Sequence, residues 1–233
     1  GDISSKIQKF IEIFIDNRGY VKVVEGLKNT VIIAITGLII GILIGTIIAT
    51  VRVIPKYKRL PRVLDAICSV YVGFFRGTPM VVQLLLFYYV LLPIAGGHMS
   101  GVQVSMLVFG LNSGAYISEI MRSGILSVDP GQMEAARSLG LPYSRAMIRV
   151  VLPQAIRTMI PSIINQFIIT LKDTSILSVI GFPELVNTAK NVVANSFMSF
   201  QTWGIVAVMY LIVITILSKV AKIVERRLNR GRK

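Results

Sequence analysis

From Val31 to Val51 the chain contains no charged residue, and threonine supplies its only polar side chains. A helix rises about 1.5 Å per residue, so a run of this length can cross the bilayer hydrocarbon core, which is about 30 Å thick. Lipid offers no hydrogen-bond partners, so a backbone that crosses it must satisfy its own polar groups. The run therefore predicts a transmembrane helix and limits the rest of the chain to folds that a bilayer accepts.

Four further apolar runs follow this one. They are Val63–Leu92, Val102–Leu126, about Ala155–Leu171, and Trp203–Leu217. Arg76-Gly77-Thr78-Pro79 interrupts the first of these runs, which is either one long kinked helix or a short helix joined to a span at the break. We predict an all-α, polytopic transmembrane bundle of about five spans over residues 29–220.

The composition fits a membrane protein and disfavours two other classes. Hydrophobic residues make up 54% of the chain and charged residues 15%, which excludes an ordinary soluble domain. The formal net charge is +14, but the basic residues cluster between apolar runs. We therefore expect membrane lipid, and no nucleic acid, as a partner. Cys68 and His98 are each the only residue of their type, so we expect no disulfide and no dedicated metal site.

Basic residues also indicate the orientation. They are dense in the first connection, around the third connection and in the tail (residues 221–233), whereas Pro93–Gly101 has none and Gly181–Thr202 has only Lys190. The positive-inside rule places the three dense segments in the cytoplasm. With five spans, the N-terminus is then outside and the C-terminus is cytoplasmic.

The N-terminal segment, residues 1–28, fits an outer location poorly. Its basic residues are Lys6, Lys9, Arg18, Lys22 and Lys28. Its apolar residues have helical spacing (Ile7, Phe10, Ile11, Phe14 and Ile15). We predict either an amphipathic helix on the outer membrane surface or a solvated arm, and no cleaved signal peptide.

Helix signals mark an elbow between the third and fourth spans, over about residues 129–153. Asp129 can cap a helix that has Pro130 in its first turn, Gly140 can end that helix, and Leu141-Pro142-Tyr143-Ser144 restarts another. The result is a cytoplasmic helix–turn–helix that could seat in a groove on a soluble partner.

Glu134-Ala135-Ala136, Gly140 and the later Leu152-Pro153 resemble the EAA loop of bacterial ABC importer permeases, although Val150 stands where isoleucine is usual. The resemblance implies that this elbow couples the permease to a separate ATP-binding subunit. The coupling residues so implied are Glu134, Ala135, Ala136, Arg137, Leu139 and Gly140.

Three other segments resemble permeases for polar amino acids, the histidine, glutamate, glutamine, arginine and opine group. They are Phe75–Pro79 with Gln83, Ser113–Gly124, and Leu171–Ser175. The resemblance implies a bacterial cytoplasmic-membrane importer that works by alternating access. It also implies a second permease copy, identical or paralogous, two ATP-binding subunits and an external solute-binding protein.

The chain lacks a phosphate loop of the form Gly-x4-Gly-Lys-[Ser/Thr], and no hydrolytic constellation stands out. We therefore expect no catalytic residue, no enzyme activity and no cofactor on this chain. ATP and magnesium would be bound by the partner subunits.

Asn112, Tyr116, Glu119 and Ser123 form one polar stripe on the third span. A carboxylate in a bilayer needs a wet cavity or a partner, so Glu119 either meets a substrate ammonium or guanidinium group or pairs with Arg76 or Arg122. Lys172-Asp173-Thr174-Ser175 interrupts the fourth span and predicts an outer gate or substrate chamber, or merely the outer interface. The predicted pathway residues are Asn112, Tyr116, Glu119, Ser123, Arg76, Gln83, Asp173, Thr174 and Ser175.

The acids near this pathway are Glu119, Asp173 and Asp65, against the bases Arg76 and Lys172, which leans towards a cationic amino acid. Two alternatives stay open. One is an ABC permease for a different small solute, and the other is a signalling membrane protein that docks an ATPase and moves nothing.

Overall fold

The computed structural model of this protein describes residues 3–16, 19–179, 181, 184–197 and 199–230. Other residues lie outside the described ranges, among them Arg18 of the N-terminal segment and Arg232 and Lys233 of the basic tail. Every element of regular structure within the described ranges is a helix, so the predicted all-α class is confirmed.

Nine helices follow one another in the described ranges. They are α1 (Ile3–Ile11), α2 (Gly19–Val53), α3 (Arg59–Gly77), α4 (Met80–Ile94), α5 (Gly101–Leu126), α6 (Pro130–Ser138), α7 (Tyr143–Leu177), α8 (Leu185–Ser196) and α9 (Ser199–Arg230). Helix α1 runs into a π-helical turn at Glu12–Asp16 and leaves Ile3, Ile7 and Ile11 exposed along one side, as an amphipathic helix does.

Helices α2, α5, α7 and α9 are each long and apolar enough to cross a bilayer, and α3 with α4 adds a fifth crossing if the pair counts as one broken span. The two helices of this pair are separated at the predicted break, Thr78-Pro79. Thr78 has extended backbone (φ −118°, ψ 149°), as expected for the residue before a proline, and so α3 ends at Gly77. The prediction of about five spans is confirmed.

The predicted interruption of the fourth span takes the form of a change in helix type. Helix α7 contains a π-helical turn at Met147–Val151 and is α-helical over Leu152–Asp173, and a 3₁₀ helix then runs over Thr174–Val179. The hydroxyl of Thr174 donates to the carbonyl of Leu171 at 2.7 Å, which satisfies one acceptor at the end of the α-helix. One backbone carbonyl at this change of helix type therefore has its hydrogen-bond partner within the same segment.

The chain forms two compact units. The first comprises Gly1–Gly37, Pro79–Phe109 and Ile169–Leu217, and the second comprises Leu38–Thr78, Gly110–Ile168 and Ser218–Lys233. The first unit has two apolar cores, one around Leu84, Val108 and Phe109, and one around Val23 and Leu185. The division into segments 1–28, 29–220 and 221–233 stays a prediction.

In the second unit, helices α2 and α5 pack closely through small residues. A Cβ atom added at Gly41 would lie 2.7 Å from the Cβ of Ser113, and one added at Gly114 would lie 2.7 Å from Cγ2 of Ile44. The small residues spaced along the first span therefore include positions at which a neighbouring helix of the same chain approaches.

Substitution of Gly41 by alanine should destabilise the protein, because the added methyl group overlaps Ser113. We expect a cost of about 1–3 kcal/mol, the range for overpacking a close-packed site. The control is Gly73→Ala in α3, where nothing lies within 4 Å of the added atom, so that the same gain in helix propensity applies without the clash. Thermal unfolding in detergent measures both variants, and equal unfolding temperatures would contradict the packing assignment.

In the first unit, Glu184 caps helix α8 from a buried position. Its carboxylate accepts hydrogen bonds from the backbone N–H groups of Val186 (2.9 Å) and Asn187 (2.6 Å). The N–H of Leu185 donates to the hydroxyl of Thr30 on α2 at 3.1 Å, which joins the two helices. Burial raises the pKa of Glu184 from 4.5 to about 7, although the two N–H donors and Lys190 act in the opposite direction.

This raised pKa predicts that stability depends on pH. Between pH 4.5 and about 7 the folded chain binds the Glu184 proton more tightly than the unfolded chain does, so stability should fall as the pH rises through this window. The limiting slope for one group is about 1.4 kcal/mol per pH unit. Unfolding temperatures of the wild type should fall across the window relative to those of Glu184→Gln, and parallel curves would contradict the assignment.

Candidate functional site

The elbow helix α6 begins as its sequence predicts. The Asp129 side chain accepts a hydrogen bond from the N–H of Gly131 at 2.9 Å, and Pro130 occupies the first turn, where its missing N–H costs nothing. Local chemistry therefore fixes where the helix starts.

The end of α6 is a Schellman motif. The N–H of Gly140 donates to the carbonyl of Arg137 (3.0 Å), and the N–H of Leu141 donates to the carbonyl of Ala136 (3.3 Å). Gly140 has φ +88°, a left-handed conformation that favours glycine. Helix α7 then starts at Tyr143, so the predicted helix–turn–helix is present.

Most of the predicted coupling residues point into solvent. Ala136 is the one buried member, while Leu139 is 85% exposed, and the other four are exposed as well (Glu134, Ala135, Arg137 and Gly140). An exposed leucine at the tip of a rigid turn offers an apolar contact to a partner. The elbow therefore presents an exposed leucine and exposed charged side chains, while the side chain of Ala136 is buried within the second unit.

Side-chain hydrogen bonds fix the position of the elbow within the second unit. The hydroxyl of Tyr143 donates to the carbonyl of Val53 at the end of α2 (3.2 Å), and the amide of Gln154 donates to that of Gln132 (3.3 Å). The first bond ties the start of α7 to the last residue of α2.

Glu119 of α5 is the centre of an ion-pair network in the same unit. Its carboxylate lies 2.6 Å from Nη1 of Arg52, 3.4 Å from Nη2 of Arg122 and 3.7 Å from Nη1 of Arg76. The side chains of Glu119 and Arg52 are 18% and 14% exposed, so this pair is largely desolvated. Of the two readings of Glu119, this geometry favours internal pairing.

The polar stripe on α5 is only partly assembled around Glu119. Tyr116 lies beside it, with the Arg76 guanidinium 5.7 Å from the centre of its ring, a cation–π distance. Asn112 is buried and Ser123 is exposed. The structure therefore brings together Arg76, Tyr116 and Glu119.

The remaining predicted pathway residues belong to the first unit. Gln83 is fully buried near the start of α4, and Asp173 is half-buried at the end of the α-helical part of α7. Thr174 is buried and bonded to its own backbone, and Ser175 is half-buried. Their roles in the pathway stay predictions.

No local sequence pattern predicts Arg52 as the ion-pair partner with the shortest contact to Glu119. The two residues are 67 positions apart, and the positive-inside rule counts Arg52 only among the basic residues of the first connection. Asp65 adds a second carboxylate, 3.4 Å from Nε of Arg52 and 3.8 Å from Nζ of Lys56. The one available signal was the position of Arg52, directly after the uncharged run.

The described part of the chain contains no group of three or more histidine, cysteine or acidic side chains that could hold a metal ion. The candidate site comprises the exposed elbow and the partly buried ion-pair network around Glu119.

A family model described as "Binding-protein-dependent transport system inner membrane component" matches residues 37–231. A probable amino-acid ABC transporter permease protein, PatM of Vibrio harveyi, is 39% identical over 208 residues, or 88% of this chain and 91% of the relative. The glutamine transport system permease protein GlnP of Escherichia coli (strain K12) is 37% identical over 169 residues, or 72% and 77% of the two chains. The arginine transport system permease protein ArtQ of Bacillus subtilis (strain 168) is 36% identical over 163 residues, or 70% and 74%.

Solved structures give the same picture. A chain in the crystal structure of an amino acid ABC transporter with histidines superposes with a TM-score of 0.82 at 35% identity, covering 92% of this chain and 98% of that one. A chain of the inward-facing MetNI methionine ABC transporter shares the fold, with a TM-score of 0.69 at 17% identity and coverage of 90% and 95%. The chain belongs to the family of binding-protein-dependent transport system inner membrane components and is a multi-pass permease subunit of the ABC type.

Proposed function

We propose that this chain is the permease subunit of an ATP-driven importer of polar amino acids and that it moves its substrate by alternating access. The elbow from Asp129 to Tyr143 carries the proposal, because it is capped at both ends and presents an exposed leucine and exposed charges. The relatives that are named for amino acids, glutamine and arginine support this substrate class.

The proposed assembly contains two copies of a permease, identical or paralogous, two ATP-binding subunits and an external solute-binding protein. ATP and magnesium are bound on the ATP-binding subunits, and the elbow passes their closure to the spans. The N-terminus is outside and the basic tail is in the cytoplasm of a bacterial cell, as the distribution of basic residues indicates.

The predicted preference for cationic substrates has less support than the number of acidic residues near the pathway suggests. Glu119 lies within 4 Å of three arginine side chains, so its charge is already more than balanced. Asp173 is the remaining acid of the predicted pathway. We therefore propose polar amino acids as the class, without a preference set by Glu119.

The whole proposal is tested by reconstitution. Liposomes that contain this chain, its ATP-binding subunit and the solute-binding protein should take up a radiolabelled polar amino acid when ATP is present. ATPase stimulation without uptake of any amino acid would favour the signalling alternative.

Replacing Leu139 by aspartate should weaken docking of the ATP-binding subunit, because the 85% exposed side chain makes an apolar contact there. Burial of a leucine side chain contributes about 1.5–3 kcal/mol, so its loss corresponds to a change in affinity of roughly 10- to 150-fold. Co-purification and ATPase stimulation measure the effect, and the unfolding temperature of the isolated chain should not change.

The matched control for the elbow is Tyr57→Asp. Tyr57 is an equally exposed apolar side chain, at 89%, in the connection between α2 and α3. Equal loss of docking in both variants would contradict the assignment of the elbow.

Substitution of Glu119 by glutamine should destabilise the protein without changing substrate preference. It removes the carboxylate that three arginines share, but Arg52 keeps Asp65, and Arg76 and Arg122 are 48% and 35% exposed, so we expect a cost of about 1–3 kcal/mol. Asp65→Asn, which removes a carboxylate with longer contacts, should cost less. Unchanged unfolding combined with a raised KM for cationic amino acids only would show instead that Glu119 binds the substrate.

A further inference from the structure

An open cavity of about 610 Å³ lies among α2, α5 and α7 in the second unit. Its walls include Ala49, Met121, Ile125, Ile148 and Met159. We call this cavity the apolar groove. Its volume is within the range of about 300–1,000 Å³ that is usual for small-molecule sites.

Three of the hydroxyl groups that line this groove donate to backbone carbonyls. Thr46 donates to the carbonyl of Ile42 and Thr50 to that of Thr46, each at 2.7 Å, and Tyr143 donates to Val53 at 3.2 Å. The groove therefore presents a hydrocarbon surface to its occupant and few free polar groups.

A second cavity, of about 570 Å³, adjoins the groove. The two cavities share Val53, Ile54, Ile125, Tyr143 and Met147 as lining residues. Arg52, Lys56 and Arg122 also line the second cavity, which we call the basic pocket. One molecule with an apolar chain and a polar head could occupy both cavities.

The basic pocket has an excess of positive charge. The network around it contains the cations Arg52, Lys56, Arg76 and Arg122 and the carboxylates Asp65 and Glu119. Asp129 also lines the pocket, but one of its oxygens accepts the N–H of Gly131. Among the residues that line the pocket itself, three cations (Arg52, Lys56 and Arg122) stand against the one carboxylate of Asp129.

Two of these cations can reach a ligand. The side chains of Lys56 and Arg122 are each 35% exposed, whereas that of Arg52 is 14% exposed. In the described part of the chain, Nε of Arg122 is buried without a hydrogen-bond partner. A buried donor without a partner is unfavourable, and next to excess positive charge an anionic acceptor would satisfy it best.

We infer that the apolar groove and the basic pocket together bind an anionic phospholipid, with its phosphate near Lys56 and Arg122 and an acyl chain in the groove. A phosphodiester with an uncharged headgroup carries a single negative charge, which offsets part of this positive excess. A zwitterionic lipid brings its own cation and cannot neutralise the pocket. A lipid fits better than a soluble anion because the groove is apolar and belongs to helices that cross a bilayer.

Brominated lipids test this site directly, because they quench tryptophan fluorescence on contact. Trp203 is the only tryptophan in the sequence, so Trp203→Phe with Ile148→Trp places one reporter in the groove. The full-length chain is reconstituted in mixed vesicles in which either phosphatidylglycerol or phosphatidylcholine is brominated. We expect the reporter to favour phosphatidylglycerol by about fivefold for each contributing cation.

Lys56→Gln with Arg122→Gln should remove this preference. The control, Lys222→Gln with Arg226→Gln, makes the same change of charge on exposed residues of α9 and should leave the preference intact. If the double variant does not fold, Lys56→Gln alone should reduce the preference, because Lys56 makes no contact with Glu119 in the ion pairs described above.

Three results would overturn the inference. They are equal quenching by the two lipids, a preference that survives the loss of Lys56 and Arg122, and the absence of quenching by either lipid, which would mean that protein covers the groove. The assay needs neither transport nor an ATP-binding subunit, so its outcome is independent of the proposed function.

Discussion

The carboxylate of Glu119 is the electrostatic centre of the second unit. It accepts contacts from Arg52 on α2, Arg76 on α3 and Arg122 on α5, while Asp65 adds a second carboxylate beside Arg52. An uncompensated charge in a largely desolvated position costs several kcal/mol, so these helices have little freedom to separate. The close approach of α2 and α5 at Gly41 depends on the same constraint, because it requires a fixed register between the two helices.

The end of α2 connects this network with the elbow. The side chain of Arg52 contacts Glu119, and the carbonyl of the next residue, Val53, accepts the hydroxyl of Tyr143 at the start of α7. One hydrogen bond therefore separates the elbow from the residue next to Arg52. The same stretch of α2 lines both cavities of the inferred lipid site. The elbow, the ion-pair network and the inferred lipid site therefore all contact the same short segment at the end of α2.

The features that can be predicted from the sequence are those that neighbouring residues determine. The uncharged run from Val31 to Val51, the break at Thr78-Pro79 and the elbow from Asp129 to Gly140 are each specified by neighbouring residues, and the structure confirms all three. The partners of Glu119 were foreseen only in part. Arg122 lies three positions away on the same helix, whereas Arg52 comes from another helix, and no local pattern encodes that approach. The buried cap at Glu184 was missed for a related reason, since its burial depends on distant residues such as Thr30.

The pairing of Glu119 with Arg122 also bears on how the chain enters the membrane. Both residues lie on α5, three positions apart, with 3.4 Å between their charged groups. During synthesis this span can partition into lipid as an electrically neutral segment, before any other helix is beside it, because its acid and base compensate each other. Arg52 follows an uncharged run that can insert on its own. Its guanidinium group can therefore stay at the level of the lipid headgroups until α5 is inserted. The insertion of α5 therefore requires no isolated charge to be left in the hydrocarbon before other helices pack against it.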